Sequence, residues 1–373
     1  MSALFLKHGR VVDPISGVDQ VLDVRISSGR ILEVGAELQP RSERVLEARD
    51  LWVLPGLVDL RCTIVDDSDV ESALAGGLTA LMLTPESPRC TTGRLDVRHA
   101  NPLTRELKGE ELGEVPEGVM VLSNGFAPIV RGGVLRRALQ YAQALGVLVM
   151  VHPEDPTISA RGLLGEGPTA TRLGLLGVPA AAETSIVARD LEVLRSTGGR
   201  LHFSHLTCAR SVQLVREAKL QKLAVTCDVT GHHLTLDDTA ANDFSLSARV
   251  WPPLRSAADV VALREGVKDG AVDAIASDHL RLEALDLEHA FEQSSPGIEA
   301  FASLVKRVLS LGLAPTRVAQ VLSTVPAKLM GLGDRTLARE ARADVTVIDP
   351  RTMTVHATIA AGELRFLEGR TLP

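Results

Sequence analysis

Near its start the chain alternates strictly between apolar and polar residues. Leu22, Val24 and Ile26 alternate with Asp23, Arg25 and Ser27, the pattern of a strand buried on one face. Ser28-Gly29 then marks a turn, and a second apolar run covers 30–34. The far end reads the same way: Asp344-Val345-Thr346-Val347-Ile348-Asp349-Pro350, then 358–361, a Gly362-Glu363 turn, and 364–367. Neither end alone has enough strands to bury a face, so the two are expected to pair into one small β domain.

Between these ends the period changes. Apolar strand candidates fall near 57–64, 78–83, 95–103, 119–122, 147–152, 201–205, 223–229 and 271–277. Amphipathic helices intervene at 134–145, with Leu135, Leu139 and Ala142 on one face, and at 181–196, 209–219 and 257–268. Gly146, Gly198-Gly199 and Gly270 punctuate the junctions. Eight such alternations favour a (β/α)8 barrel, although a doubly wound sheet would show the same order. The third strand is the least regular, because Arg98, His99 and Pro102 interrupt it. The expected organisation is a composite β-sandwich domain from 1–55 and 331–373 beside a barrel at 56–330.

Composition narrows the class. With 373 residues, 45% hydrophobic and 23% charged, the chain can bury a large core, and 3% aromatics make that core aliphatic. A net charge of -7 speaks against a nucleic-acid partner. No apolar run reaches the roughly eighteen residues that cross a bilayer. The opening Met1-Ser2-Ala3-Leu4-Phe5-Leu6 has too short an apolar stretch for a secretory signal. Cys62, Cys90, Cys208 and Cys227 show no C-x-x-C spacing and no pattern of basic neighbours that would mark a reactive thiolate, so neither a disulfide framework nor a thiolate zinc site is suggested and buried inertness is expected. The expectation is a cytoplasmic protein without a membrane partner.

Chemistry in such a barrel collects at the C-terminal strand ends. Those ends read Arg61-Cys62-Thr63, Thr84-Pro85-Glu86, Ser123-Asn124-Gly125, His152-Pro153-Glu154-Asp155, Ser204-His205-Leu206-Thr207, Thr230-Gly231-His232-His233 and Ser277-Asp278-His279. His152, His205 and Asp278, each closing a different strand, look like part of a zinc site. His232-His233 would point to opposite faces of a strand and is read as loop support, and His202, facing away from His205, as core packing.

These strings, with Val53-Leu54-Pro55-Gly56-Leu57-Val58-Asp59, Ala75-Gly76-Gly77-Leu78-Thr79, Arg172-Leu173-Gly174, Pro252-Pro253-Leu254-Arg255 and Pro326-Ala327-Lys328, resemble the dihydroorotases of the amidohydrolase superfamily over nearly the whole length. The resemblance implies a zinc-dependent (β/α)8 barrel with a β-sandwich from both termini. It also implies reversible closure of N-carbamoyl-aspartate to dihydroorotate in pyrimidine synthesis.

The departures from the family pattern fall on its chemistry. The family's first strand ends Asp-x-His-x-His-x-Arg; here Arg61, Thr63 and Val65 replace the two histidines and the arginine. Asn124, in Ser123-Asn124-Gly125, stands where the bridging carboxylate is expected, and Glu86 and Trp251 where the family places substrate-binding asparagines. Leu282 replaces the last histidine of Asp-His-Ala-Pro-His. Arg61 cannot deprotonate to become a ligand. His152, His205 and Asp278 therefore read as a vestigial metal set, with Asp278 as vestigial acid/base and zinc, if any, at low occupancy. Glu154 and Asp155 resemble the family's structural acids.

Three functions follow. The leading one is a catalytically inactive homologue kept as a non-catalytic structural subunit for aspartate carbamoyltransferase, in a homo- or hetero-oligomer. The resemblance supplies this partner, since active and inactive members of the family occur in complex with that enzyme. The second is a zinc-dependent cyclic amide hydrolase working with one metal at His152 and His205. The third is a small-molecule sensor using Arg61 as an anion contact.

Overall fold

A computed structural model describes residues 3–88, 90, 92–282, 286 and 288–372. Eight barrel strands follow one another: Leu57–Cys62, Leu78–Leu83, Asp96–His99 continued by Asn101–Pro102, Val121–Ser123, Leu148–Val151, Leu201–Phe203, Val225–Thr230 and Ala274–Ala276. Each pairs in parallel with its successor. The first and last strand ends close the ring through a parallel bridge between Cys62 and His279. There Thr63 N–H donates to the His279 carbonyl at 2.8 Å, and Asp278 N–H to the Arg61 carbonyl at 3.2 Å.

The irregular third strand is broken at Ala100. Its first half pairs with the second strand and its last two residues with the fourth. Pro102 thus sits at a strand end, where a missing N–H does little harm to the ladder. Helices follow the first strand (Asp67–Ala75), the fourth (Gly132–Leu145), the sixth (Ala209–Leu220), the seventh (Ala257–Asp269) and the eighth (Phe301–Leu309). The longest, Ala181–Thr197, comes after the fifth strand. No α-helix follows the second or third strand among the described residues. Neighbouring strand positions fall in separate apolar clusters, as a two-faced strand requires. Val58, Leu60, Ala80, Met82 and Met150 share one cluster. Leu57, Leu81, Leu83 and Val149 join helix residues Leu135, Leu139, Val187 and Val215 in another. No helix among the described residues is long and apolar enough to cross a membrane.

The two chain ends hydrogen-bond into a single nine-stranded sheet, joined where Trp52–Pro55 runs antiparallel to Val345–Asp349. Leu4, Leu6, Val24, Ile26, Val53, Val345, Val347 and Ile359 share its apolar core. The half-buried reading of 22–27 is corrected here. Asp23 and Arg25 are as buried as Val24 and Ile26. They are tolerated because they are paired. Asp23 accepts N–H bonds from His8 (2.7 Å) and Leu38 (2.9 Å). Arg25 donates to Glu43 at 2.7 Å and lies over the Phe5 ring.

Hydroxyls tie this sheet to the barrel. Thr346 Oγ1 donates to the Gly77 carbonyl at 2.6 Å and accepts Leu57 N–H at 3.2 Å. Thr358 donates to the Leu74 carbonyl at 2.7 Å, and Ser323 to the Gly56 carbonyl at 2.8 Å. Gly56 leaves no room for a side chain, since a Cβ would collide with Thr79. Thr346→Val keeps the shape but strips two buried backbone groups of their partner. Chemical denaturation should show a loss of about 1–3 kcal/mol, and an unchanged midpoint would contradict this coupling.

Candidate functional site

The site grows from the closure of the barrel. Asp59, on the first strand, is fully buried and accepts the Ser277 N–H at 2.9 Å and the Ser277 hydroxyl. Burial raises its carboxyl to about 6, against the lowering effect of the Ser277 bonds. Arg61, two residues on, is also buried, and its guanidinium carbon lies 3.5 Å from the centre of the Phe126 ring. Its Nε and Nη2 have no hydrogen-bond partner among the described residues. Burial lowers the Arg61 pKa, and the charges of Asp278, Glu86 and Asp228 work against that. A guanidinium keeps its charge in such surroundings.

Around it stand the strand-end groups. His152 holds Nε2 at 3.2 Å from Glu154 Oε2, and Glu154 also receives Trp251 Nε1–H at 3.0 Å and the Ser159 hydroxyl. His205 turns its backbone to φ +58°, with Nε2 3.8 Å from Asp278 Oδ1 and Nδ1 3.8 Å from Asp228 Oδ1. Burial, and then the Arg61 charge, drive the His205 pKa well below the usual imidazole range, so the ring is neutral. Asp278, at φ +54°, is pushed up to about 8 by burial, with Arg61 opposing.

Two readings of neighbouring histidines hold, but not for the reasons their spacing suggests. His202 is more than apolar packing: its Nε2 lies 2.8 Å from Asp228 Oδ2, and Asp228 Oδ1 accepts the His205 N–H at 2.7 Å, so one buried carboxylate serves both residues. His232 and His233 lie in the turn after Val225–Thr230, not on a strand, and their ring centres are 4.5 Å apart. The loop-supporting bonds belong to His233, whose Nδ1 meets Thr230 Oγ1 at 2.7 Å and Nε2 the Pro252 carbonyl at 3.1 Å.

The replaced positions have acquired local partners. Thr63 is bound through its backbone to His279, and Val65 is exposed with its N–H on Asp69 Oδ2 at 2.7 Å. Asn124 spends its amide on Thr104, accepting its N–H and exchanging hydrogen bonds with its hydroxyl. Glu86 accepts the Phe126 N–H at 3.2 Å, and its carboxylate occupies the space a side chain on Gly125 would need. Leu282 lies against Gly297. Asp155 caps the short helix Pro156–Ser159. Cys62, Cys208 and Cys227 are buried, and burial pushes their thiols up, which leaves them unreactive.

Phe126 was not singled out in the sequence, yet it covers Arg61 and meets His152 edge-on at 5.8 Å. The available signal was a lone aromatic just past the fourth strand end. Phe126 also lines a cavity of about 260 Å³ with Trp251, Leu280, Pro296, Ile298 and Asp278.

The donor set does not fit a zinc ion. Among the described residues no group of three His, Cys, Asp or Glu side chains is arranged to hold one. His152 is engaged with Glu154, and Arg61 puts a fixed cation into the same strand-end cluster.

A closed parallel barrel with its polar groups at the strand ends, joined to a β domain from both termini, has the fold of the hydantoinase-type amidohydrolase barrels. Solved structures agree on the fold. A dihydropyrimidinase from Brevibacillus agri superposes with a TM-score of 0.83 at 19% identity, over 99% of this chain and 96% of that one. An L-hydantoinase from Arthrobacter aurescens gives 0.80 at 20% identity, over 100% and 98%. The profile of the dihydro-orotase-like family matches residues 52–211. A dihydroorotase of Anaeromyxobacter dehalogenans (strain 2CP-C) is 39% identical over 93% of this chain and 88% of its own length. One of Pelotomaculum thermopropionicum is 37% identical over 93% and 89%. The chain belongs to the dihydroorotase-like family.

Asp59 sets a pH test. Its folded pKa, about 6, lies above the unfolded value of 3.8, so between these the folded state holds more protons and stability falls as pH rises. Asp59→Asn has no such proton. Its stability relative to the parent should climb from about pH 4 to 6, by at most about 1.4 kcal/mol per pH unit, and then level off. A difference in melting free energy that stays flat across this range would show that Asp59 is not desolvated as described.

Proposed function

We propose that this chain is a dihydroorotase-like protein of pyrimidine biosynthesis that has no dihydroorotase turnover and acts as a non-catalytic structural subunit for aspartate carbamoyltransferase in the cytoplasm. The observation that carries the first half is Arg61, a buried guanidinium stacked on Phe126 at the strand end where the family's metal-binding histidines belong. Ring closure or opening of a cyclic amide on this scaffold needs an activated water, a polarised carbonyl and a carboxyl to carry the proton. Here the His205 ring is neutral and its nitrogens lack a hydrogen-bond partner among the described residues, Asn124 is tied to Thr104, and the residues that would grip an acidic substrate are Glu86, Trp251 and Leu282. The second half rests on the family resemblance and on a scaffold complete around an altered site. A partner that binds only the folded enzyme stabilises it by mass action, with no chemistry of its own.

A second reading, a one-metal cyclic amide hydrolase, draws support from relatives named dihydroorotase and from the 3.8 Å approach of His205 to Asp278. Activity separates the two. The purified protein, with zinc in excess, should convert neither N-carbamoyl-aspartate nor dihydroorotate above a metal-only control, and restoring histidines by Arg61→His with Thr63→His should not rescue it. Zinc-dependent turnover by the unmodified chain would install the second reading instead.

The partner has its own test. Mixed at micromolar concentration with the carbamoyltransferase of the same organism, the chain should form a larger species by light scattering. Carbamoyltransferases of this kind are trimers, so a dimerising barrel could join two of them in a closed assembly. His152→Ala or His205→Ala, which alter buried groups, should leave that species intact. Separate elution of the two proteins, with the enzyme fully active alone, would refute the scaffold role.

A further inference from the structure

We infer that the outer flank of the helix Gly132–Leu145 is the contact surface for a second copy of this chain, with the two helices crossing antiparallel about a two-fold axis. In a (β/α)8 barrel the helices form an outer ring, so each is flanked by two others. Among the described residues this helix has one such neighbour. On that side Leu139 and Gln143 lie against Gly199 and Gly198, in the turn that ends the helix Ala181–Thr197. On the other side stands the third strand, which no α-helix follows among the described residues.

The helix period shows which residues face that uncovered side. At 3.6 residues per turn, Tyr141 stands roughly 160–200° round the axis from Leu139 and Gln143. Leu145 lies one turn further on and Arg137 one turn back. Tyr141 is 42% exposed and Leu145 48%, and Arg137 is exposed as well. The irregular segment 104–118 runs where the missing helix would pack, and sets Leu112 and Val115 against the core. It meets the helix at the N-terminal end, where Arg131 Nη2 is 3.5 Å from Glu110 Oε1. The last two turns stay bare.

This flank is complementary to itself. Arg137, Tyr141 and Leu145 form one ridge of i, i+4 spacing, and such ridges interlock with their like in the commonest mode of helix packing. The two ends of the ridge differ in charge. Arg137 marks the N-terminal end, and Leu145 lies about 12 Å along the axis at 1.5 Å per residue. Glu117 belongs to the Leu145 end, because Met120, three residues after it, accepts the Leu148 N–H at 2.9 Å, and Leu148 is three residues past Leu145. Arg137 and Glu117 are both exposed, and neither is in an ion pair among the described residues. An antiparallel crossing sets Arg137 of each copy toward Glu117 of the other, whereas a parallel crossing would set like charges together. Tyr141 then falls at the two-fold axis, where a residue meets its own copy. Tyrosine and arginine are also residue types enriched at interfaces. The pair needs only this chain, so it stands or falls apart from the scaffold role.

Sedimentation velocity of the chain alone across roughly 1–100 µM, the range suited to a modest interface, should show a reversible monomer–dimer equilibrium. Leu145→Asp should weaken the dimer at least tenfold, as should Arg137→Glu and Glu117→Arg singly. The double variant Arg137→Glu with Glu117→Arg restores opposite signs across the pair, and should return to within about threefold of the parent. The three positions are exposed, so the substitutions leave the core untouched. A parent chain that stays monomeric throughout the range would overturn the inference without recourse to any variant. A dimer indifferent to Leu145→Asp would overturn it too, as would single charge variants that weaken the dimer with no recovery in the double. Association that appears only with aspartate carbamoyltransferase, and is lost in Leu145→Asp, would give this flank to the enzyme instead. A dimer that forms here but binds no carbamoyltransferase keeps this surface and refutes the scaffold role.

Discussion

The seam between the first and last barrel strands governs the rest of the molecule. Asp59 takes both the backbone N–H and the hydroxyl of Ser277, and the ladder continues through Arg61 with Asp278 and Thr63 with His279. Once that register is fixed, Arg61 lies beside Asp278 at the mouth of the barrel and its charge must be accommodated. A buried cation without a direct ion pair is expensive. Here it is offset by the Phe126 face at 3.5 Å and by the more distant charges of Asp278, Glu86 and Asp228. A desolvated cation–π contact contributes about 2 kcal/mol. Phe126 in turn depends on Glu86 for its backbone position, and Glu86 depends on Gly125 having no side chain. Residues from the first, second and fourth strand ends thus form one dependent set.

Much of this architecture was legible in the sequence, for a physical reason. Parallel strands buried on both faces read as apolar runs, and 57–64, 78–83 and 147–152 are such runs. The alternation at 22–27 misleads because it reports burial only when polar residues face water, and Asp23 and Arg25 are buried in hydrogen bonds with residues 8, 33, 38 and 43. Sequence spacing cannot show those partners. For His232-His233 the loop-supporting reading holds but its reason does not: the strand ends at Thr230, so strand geometry no longer applies two residues later.

At the site, the strand-end residues His152, His205 and Asp278 could be found by position, since the barrel dictates where chemistry sits. The contacts that decide their state could not. Nothing in the spacing of Phe126 and Arg61 predicts a stack, nor does the spacing of Glu154 and Trp251 predict a shared hydrogen bond. Phe126, Glu154 and Trp251 all lie outside the regular elements, where periodicity carries no information about partners.

The same contacts explain why losing a few residues changes the whole pocket. A metal site holds because its ligands have no better partner and because the ion supplies the positive charge that buried carboxylates require. Here Glu154 engages His152, and Arg61 supplies the charge from within the chain. A divalent ion brought beside that guanidinium would meet repulsion of roughly several kcal/mol at an effective dielectric near ~20. Reversing Arg61 alone would remove the repulsion but also the support beneath Phe126, leaving Asp278 and Asp228 without their nearby cation. The guanidinium and the aromatic ring stacked on it therefore act as a unit at the mouth of the barrel.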